Sequence, residues 1–178
     1  MATYRARLPK AQEAPLLFAI CAFPIFAWSI VQVLQQVPSW ILRLNLWDLA
    51  GVIAYTQALA LLESGMMFLF LLVLSLALPA TVLRGRHMVF TAAATLALSS
   101  TAIAVHLAGE GLRALGWPGV VIGLLVTLAA GVGLFLLALR FQKLEKVLRE
   151  AVQRIAILTY LYAAVGVLGL FLVAVRNL

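Results

Sequence analysis

Charge is what this sequence has least of. Its 13 Lys and Arg and 6 Asp and Glu make up 11% of 178 residues, where a soluble domain carries about 25%. With 65% of the chain hydrophobic, a soluble fold of this length would leave large apolar patches on its surface, which soluble monomers rarely tolerate. A soluble enzyme and a disordered regulator are thereby excluded. Cysteine occurs once, as Cys21 within an apolar run, so there is no intramolecular disulfide and no disulfide-stapled secreted scaffold. Motifs that hold metals or nucleotides are missing as well. The chain has no HExxH, no CxxC, no Glu-x-x-His and no histidine pair at i,i+4. It has no phosphate loop, no GxGxxG and no GxSxG elbow, and Gly131-Val132-Gly133 reads as a packing element within a span. No metal site and no cofactor are expected.

What is present is a series of apolar runs long enough to cross a bilayer, each needing about 20 residues. The sequence predicts an all-α integral membrane protein, one transmembrane domain over residues 1–178. Residues 14–34 form the first span, with Pro15 at a tolerated helix start and a kink expected at Pro24. Basic residues Arg5, Arg7 and Lys10 precede it as they would a secretory signal, but the run is long and lacks a cleavage pattern, so an uncleaved anchor is expected. The stretch 46–83 is too long for one span and is interrupted at Glu63-Ser64-Gly65. It is divided into a span at 64–83 and a preceding outer-interface or re-entrant helix at 46–62, the alternative being a hairpin of two spans. Residues 88–108, 119–139 and 155–175 complete the set. Trp40 and Trp47 fall where indoles favour the membrane interface.

The net charge of +7 and pI near 10.3 would suggest a nucleic-acid partner in a soluble chain; here they report orientation. In a five-span arrangement with the N-terminus inside and the C-terminus outside, Arg5, Arg7, Lys10, Arg84, Arg86, Arg140, Lys143, Lys146, Arg149 and Arg154 lie on the cytoplasmic side, 10 basic residues against 3 outside. The best six-span arrangement separates them only 8 against 5. Five spans are therefore expected, in the cytoplasmic membrane of a prokaryote. His87 and His106, the two histidines, then fall at opposite faces, which excludes a bis-histidine haem within one chain. Residues 140–154 have apolar positions at helical spacing and basic residues on the other face, predicting a basic amphipathic cytoplasmic helix. Lys143, Lys146, Arg149 and Arg154 would there meet anionic lipid headgroups or a partner, unless the segment is only a solvated extension of its neighbours. No Gly or Pro occurs from Leu134 to Ala164 to punctuate the turn.

In lipid, helices associate by close backbone approach at small residues. Gly119, Gly123, Thr127 and Gly131 recur at i,i+4 and predict a crossing with another helix, of this chain or of a partner. An ionisable group inside a span is costly and is by default a functional hypothesis, which singles out Glu63. Counted from Arg84 it falls at the outer headgroups, and that placement is adopted; counted from Asp48 it falls nearer the middle. Thr56, seven residues earlier on the same helix face, His106 and Glu110 are its candidate partners. Three functions follow. A non-catalytic subunit, anchor or scaffold of a membrane assembly, binding lipid and other membrane proteins or copies of itself, is preferred. A small oligomeric transporter or channel would use Gln32, Thr56, Glu63 and His106 as its polar path. A lipid-modifying enzyme would use Asp48, Glu63, His106 and Glu110 at the outer face.

Overall fold

A computed structural model describes residues 13–78, 87–107, 116–140 and 142–178. Among these residues the chain is helical apart from the link at 42–45 and single residues at element ends, and has no strand. It forms α1 (Ala14–Ile41), α2 (Leu46–Ala77), α3 (His87–Leu107), α4 (Gly116–Arg140) and α5 (Gln142–Asn177). Each helix contains a stretch long and apolar enough to cross a membrane, five in all. Arg5, Arg7, Lys10, Arg84, Arg86, Glu110 and Arg113 lie outside the described residues, as do the side chains of Lys143 and Arg149.

Local chemistry sets the helix ends. α1 starts with Pro15 in its first turn and continues through Pro24 and Pro38. A four-residue link follows, and Asn45, its last residue, caps α2 by accepting the Asp48 backbone N–H at 2.8 Å. Asp48 itself lies in the first turn, where a carboxylate complements the helix dipole.

Two elements differ from the sequence expectation. Glu63-Ser64-Gly65 does not interrupt α2, which runs unbroken for 32 residues. Ser64 is fully buried and donates its hydroxyl proton to the Ala60 carbonyl one turn back, so its polarity is absorbed by the helix. Residues 142–177 are likewise one helix of 36 residues. Its apolar positions Leu148 and Val152 pack against Leu17, Ile20 and Ala92 of the bundle, while Lys146, Glu150 and Arg154 are exposed.

Cross-helix contacts give the register. Ser29 meets Gln57, Phe26 packs on Ala60 and Phe18 on Phe68, so α1 and α2 are antiparallel. Cys21 meets Thr95 and Gln32 meets His106, so α3 runs parallel to α1. Thr127 meets Thr101 and Phe135 meets Phe90, so α4 runs antiparallel to α3. Val152 packs with Leu17, Thr159 reaches the Ala19 carbonyl and Tyr162 stacks on Phe26, so α5 runs with α1 and α3. The five helices alternate in direction, as five successive crossings require.

α1, α2 and α5 form the tight part of the bundle, α3 packs on the free side of α1, and α4 sits at the edge against α3. Among the described glycines, the closest approach to the backbone of another helix is at Gly169 of α5. A Cβ placed there would stand 2.7 Å from the Ala54 carbonyl oxygen of α2. One turn away, a Cβ on Gly166 would meet Leu61 Cβ at 2.9 Å and Phe26 Cζ at 3.1 Å. α2 presents Gly51, Ala54 and Ala58 to this contact, all buried. Gly123, by contrast, has open space beside it: among the described residues nothing lies within 4 Å of an added Cβ.

Replacing Gly169 with Val should therefore destabilise the purified protein by about 1–3 kcal/mol, the usual cost of forcing atoms into a packed interface. Gly123→Ala should stay within about 0.5 kcal/mol of the parent, as changes without a structural consequence do. Unfolding in mild detergent measures both, and equal losses would place the critical helix crossing elsewhere.

Candidate lateral cleft

α2 and α3 both lean on α1 and barely touch each other. They come together at the end where α3 begins, where Phe68, Leu71 and Ser75 face His87 and Thr91 across a narrow gap. Toward the other end they splay, leaving a cleft of about 420 Å³ open to the side of the bundle. Pro24, Ile25, Trp28, Ser29 and Gln32 of α1 form its back wall. Thr56, Leu59, Ala60 and Glu63 of α2 form one side, and Ser99, Ala102, Ile103 and His106 of α3 the other.

The sequence reading named Gln32, Thr56, Glu63 and His106 from chemical type alone, on three separate helices, and the structure brings all four to this cleft. Gln32 Nε2 lies 3.3 Å from His106 Nε2. An amide NH₂ can only donate, so with this placement the imidazole accepts at Nε2 and carries its proton on Nδ1. The His106 ring stands edge-on to the Trp28 indole, centroids 5.3 Å apart and planes at 79°. Thr56 turns its hydroxyl proton back to the Val52 carbonyl at 2.8 Å, leaving an oxygen lone pair toward the cleft.

Glu63 is the exception in this group. Its side chain is exposed, and among the described residues it has no hydrogen bond and no ion pair; the ion pair present there is Arg176 with Asp48. Its depth follows from the register. The Phe26–Ala60 contact sets Glu63 beside residue 23 of α1, and the Cys21–Thr95 contact sets that residue beside Ala97 of α3. Ala97 is the midpoint of a helix of 21 residues, about 31 Å long and matched to a hydrocarbon core of about 30 Å. The register thus puts Glu63 level with the middle of α3. His106, nine residues from Ala97, lies about 13 Å along the axis at one end of that helix. Asp48, 15 residues from Glu63, lies about 22 Å away, beyond the core. The break at Ser64, from which the outer-headgroup placement of Glu63 is counted, is absent, because α2 begins at Leu46 and runs unbroken through it.

The cleft therefore descends from the His106 level to the middle of α3 and ends at the level of Glu63. Pro24 lines its floor, and a proline at this position leaves the Ile20 carbonyl without its usual helical donor. Asp48 belongs to a different place. Arg176 Nη2 binds its carboxylate at 2.7 Å and Nη1 binds the Trp47 carbonyl at 3.2 Å, while Asn177 donates to the Tyr55 hydroxyl. Asp48 and Glu63 are not a carboxylate pair, and Glu110 lies outside the described residues.

The predicted packing stripe divides. Thr127 Oγ1 is 2.8 Å from Thr101 Oγ1, a Cβ on Gly131 would sit 3.4 Å from Ala97 Cβ, and Gly119 is buried, whereas Gly123 meets nothing. Sequence reasoning did not single out Trp28, Ser29 or Gln57. Ser29 and Gln57 bond each other at 3.1 Å between α1 and α2, and only the rarity of an amide inside a span marked Gln57. No group of three or more His, Cys, Asp and Glu side chains able to hold a metal occurs among the described residues. The chain matches no family model, no curated protein and no solved structure.

A carboxylate left unpaired within an apolar span lowers stability, the usual signature of a residue kept for function. Glu63→Gln should accordingly raise the unfolding temperature of the purified protein. A fall would show that the carboxylate serves the fold through a partner within the chain.

Proposed function

We propose that this chain is a non-catalytic multi-pass membrane protein acting as a subunit, anchor or scaffold of a membrane assembly. The observation that carries this reading is how its polar groups are used. Ser29 with Gln57, Thr101 with Thr127, Thr159 with the Ala19 carbonyl and Asp48 with Arg176 all join helix to helix. What remains outward is apolar surface, most extensively on α4, whose span is only 6% buried. Such a molecule has much to offer a neighbour and few groups with which to react.

In this proposal the N-terminus and the basic end of the bundle face the cytoplasm. Arg140, Lys146 and Arg154 share the end at which α1 and α3 begin, and Lys and Arg bias sets orientation. Lys146 and Arg154, exposed on one side of α5, would meet anionic headgroups there, each worth about 1 kcal/mol near the surface. The convergence of Gln32, Thr56, Glu63 and His106 favours a second reading, a small transporter. The lining of the cleft stops at the Glu63 level, however, so it supplies an entrance and not a path through.

The mass of the particle in mild detergent tests the first reading. A complex of defined stoichiometry, well above one 19.2 kDa chain, is expected; a lone chain would overturn it. Orientation is read by single cysteines placed at Leu44 and at Lys146 after Cys21→Ser. A membrane-impermeant maleimide added to intact cells should label the first and spare the second.

A further inference from the structure

We propose that the cleft between α2 and α3 is a binding site for a hydrophobic organic cation, with Glu63 as its counter-charge. This stands independently of whether the chain is an assembly subunit. Four observations on the site select that class of ligand. At about 420 Å³ the cleft falls within the range that holds small molecules, and its walls are largely apolar, with Pro24, Ile25, Leu59 and Ile103 among them. The carboxylate at its inner end has no cation within ion-pair distance among the described residues, at a depth where an unpaired charge is expensive. The Trp28 indole on the back wall is the best of the aromatic surfaces for an ammonium or phosphonium group. The His106 ring lies against it at 79°, centroids 5.3 Å apart, and is itself within hydrogen-bond distance of Gln32.

The same features reject other occupants. An anion would face Glu63. A neutral acyl chain would fill the volume and leave the carboxylate unpaired. A bare metal cation needs several oxygen or nitrogen ligands, and no such cluster exists among the described residues. A cation whose charge is spread over or shielded by hydrocarbon satisfies both the carboxylate and the walls. The splay of α2 and α3 lets it enter sideways from lipid or from the His106 end, with no rearrangement of the helices.

Full-length protein in mild detergent, titrated with tetraphenylphosphonium and separately with tetraphenylborate, tests this. The two ions share size and shape and differ in the sign of charge. Saturable binding of the phosphonium at one site per chain is expected, with tetraphenylborate not bound. Glu63→Gln should weaken phosphonium binding at least tenfold, Glu63→Asp should retain most of it, and Ala102→Trp should abolish it by filling the cleft without touching the carboxylate. Unchanged elution and melting profiles identify the variants that remain folded, and the comparison of the two ions on the unaltered protein needs no variant. Equal binding of both ions, no saturable phosphonium binding, or full affinity in folded Glu63→Gln would overturn the proposal. So would a phospholipid or a second chain found in the cleft that the phosphonium does not displace.

Discussion

Lipid tails are as apolar as leucine, so helices in a bilayer gain nothing by hiding hydrophobic surface from their surroundings and must be held by close contact of their backbones. In this protein that contact is made at Gly169, whose missing side chain lets α5 lie directly on the Ala54 carbonyl of α2. Gly166 repeats the approach against Leu61 and Phe26, and Phe26 in turn stacks on Tyr162, with centroids 5.8 Å apart. Once α5 is seated on both α1 and α2, the three cannot slide, and everything else is placed relative to them. Arg176 closes the top of this unit by reaching the start of α2, with Gly51 leaving room for the guanidinium.

α3 has no comparable seat. It is held to α1 by the Cys21–Thr95 contact and by the ring of His106 against Trp28, and it carries α4 through Thr101 and Thr127. Because α5 occupies one side of α1 and α2, α3 can pack on α1 without meeting α2 along its length. The cleft is the geometric remainder of that arrangement. Its polar lining is partly taken up by the Ser29–Gln57 and Gln32–His106 contacts between helices, whereas Glu63 has no such partner among the described residues. Depth makes the carboxylate consequential: the same group at the end of α2 would be hydrated and unremarkable.

How much of this was legible in the sequence depends on whether the signal was local. Four of the helices follow from the lengths of their apolar runs, and the number of crossings in the fifth, 46–83, is decided by the placement of Lys and Arg; the described residues contain five helices long and apolar enough to span. The position of Glu63 was not readable in that way. Its depth is fixed by the register of α1 on α2 and of α3 on α1, through Ser29, Gln57, Cys21 and Thr95, which are ordinary members of their runs. The apparent break at Ser64 misled because a serine can bond the carbonyl four residues back and stay within a helix. Glycine spacing had the same limit. The regular series from Gly119 to Gly131 was the more visible pattern, yet the closer helix-to-helix approaches are made by Gly166 and Gly169, whose importance comes from Leu61 and Ala54 of α2, more than 100 residues away. Gln32, Thr56, Glu63 and His106 could be named because polar groups are rare in such a chain; that they meet was decided by packing. Trp28 could not be named, since an indole inside an apolar run looks the same whether it faces lipid or a cleft.

The seat of α5 on α2 also has a consequence in time. Helices enter the membrane in the order of their synthesis, and contacts between distant segments form only after the intervening chain has been made. α1 and α2 can pair as soon as both are inserted, through Ser29 and Gln57, but the face of α2 bearing Gly51, Ala54 and Ala58 stays uncovered while α3 and α4 are translated. During that interval the nascent protein exposes a strip of small residues suited to any passing helix. Insertion of α5 ends this vulnerability, so the fifth segment to emerge completes the part of the bundle on which the earlier ones depend.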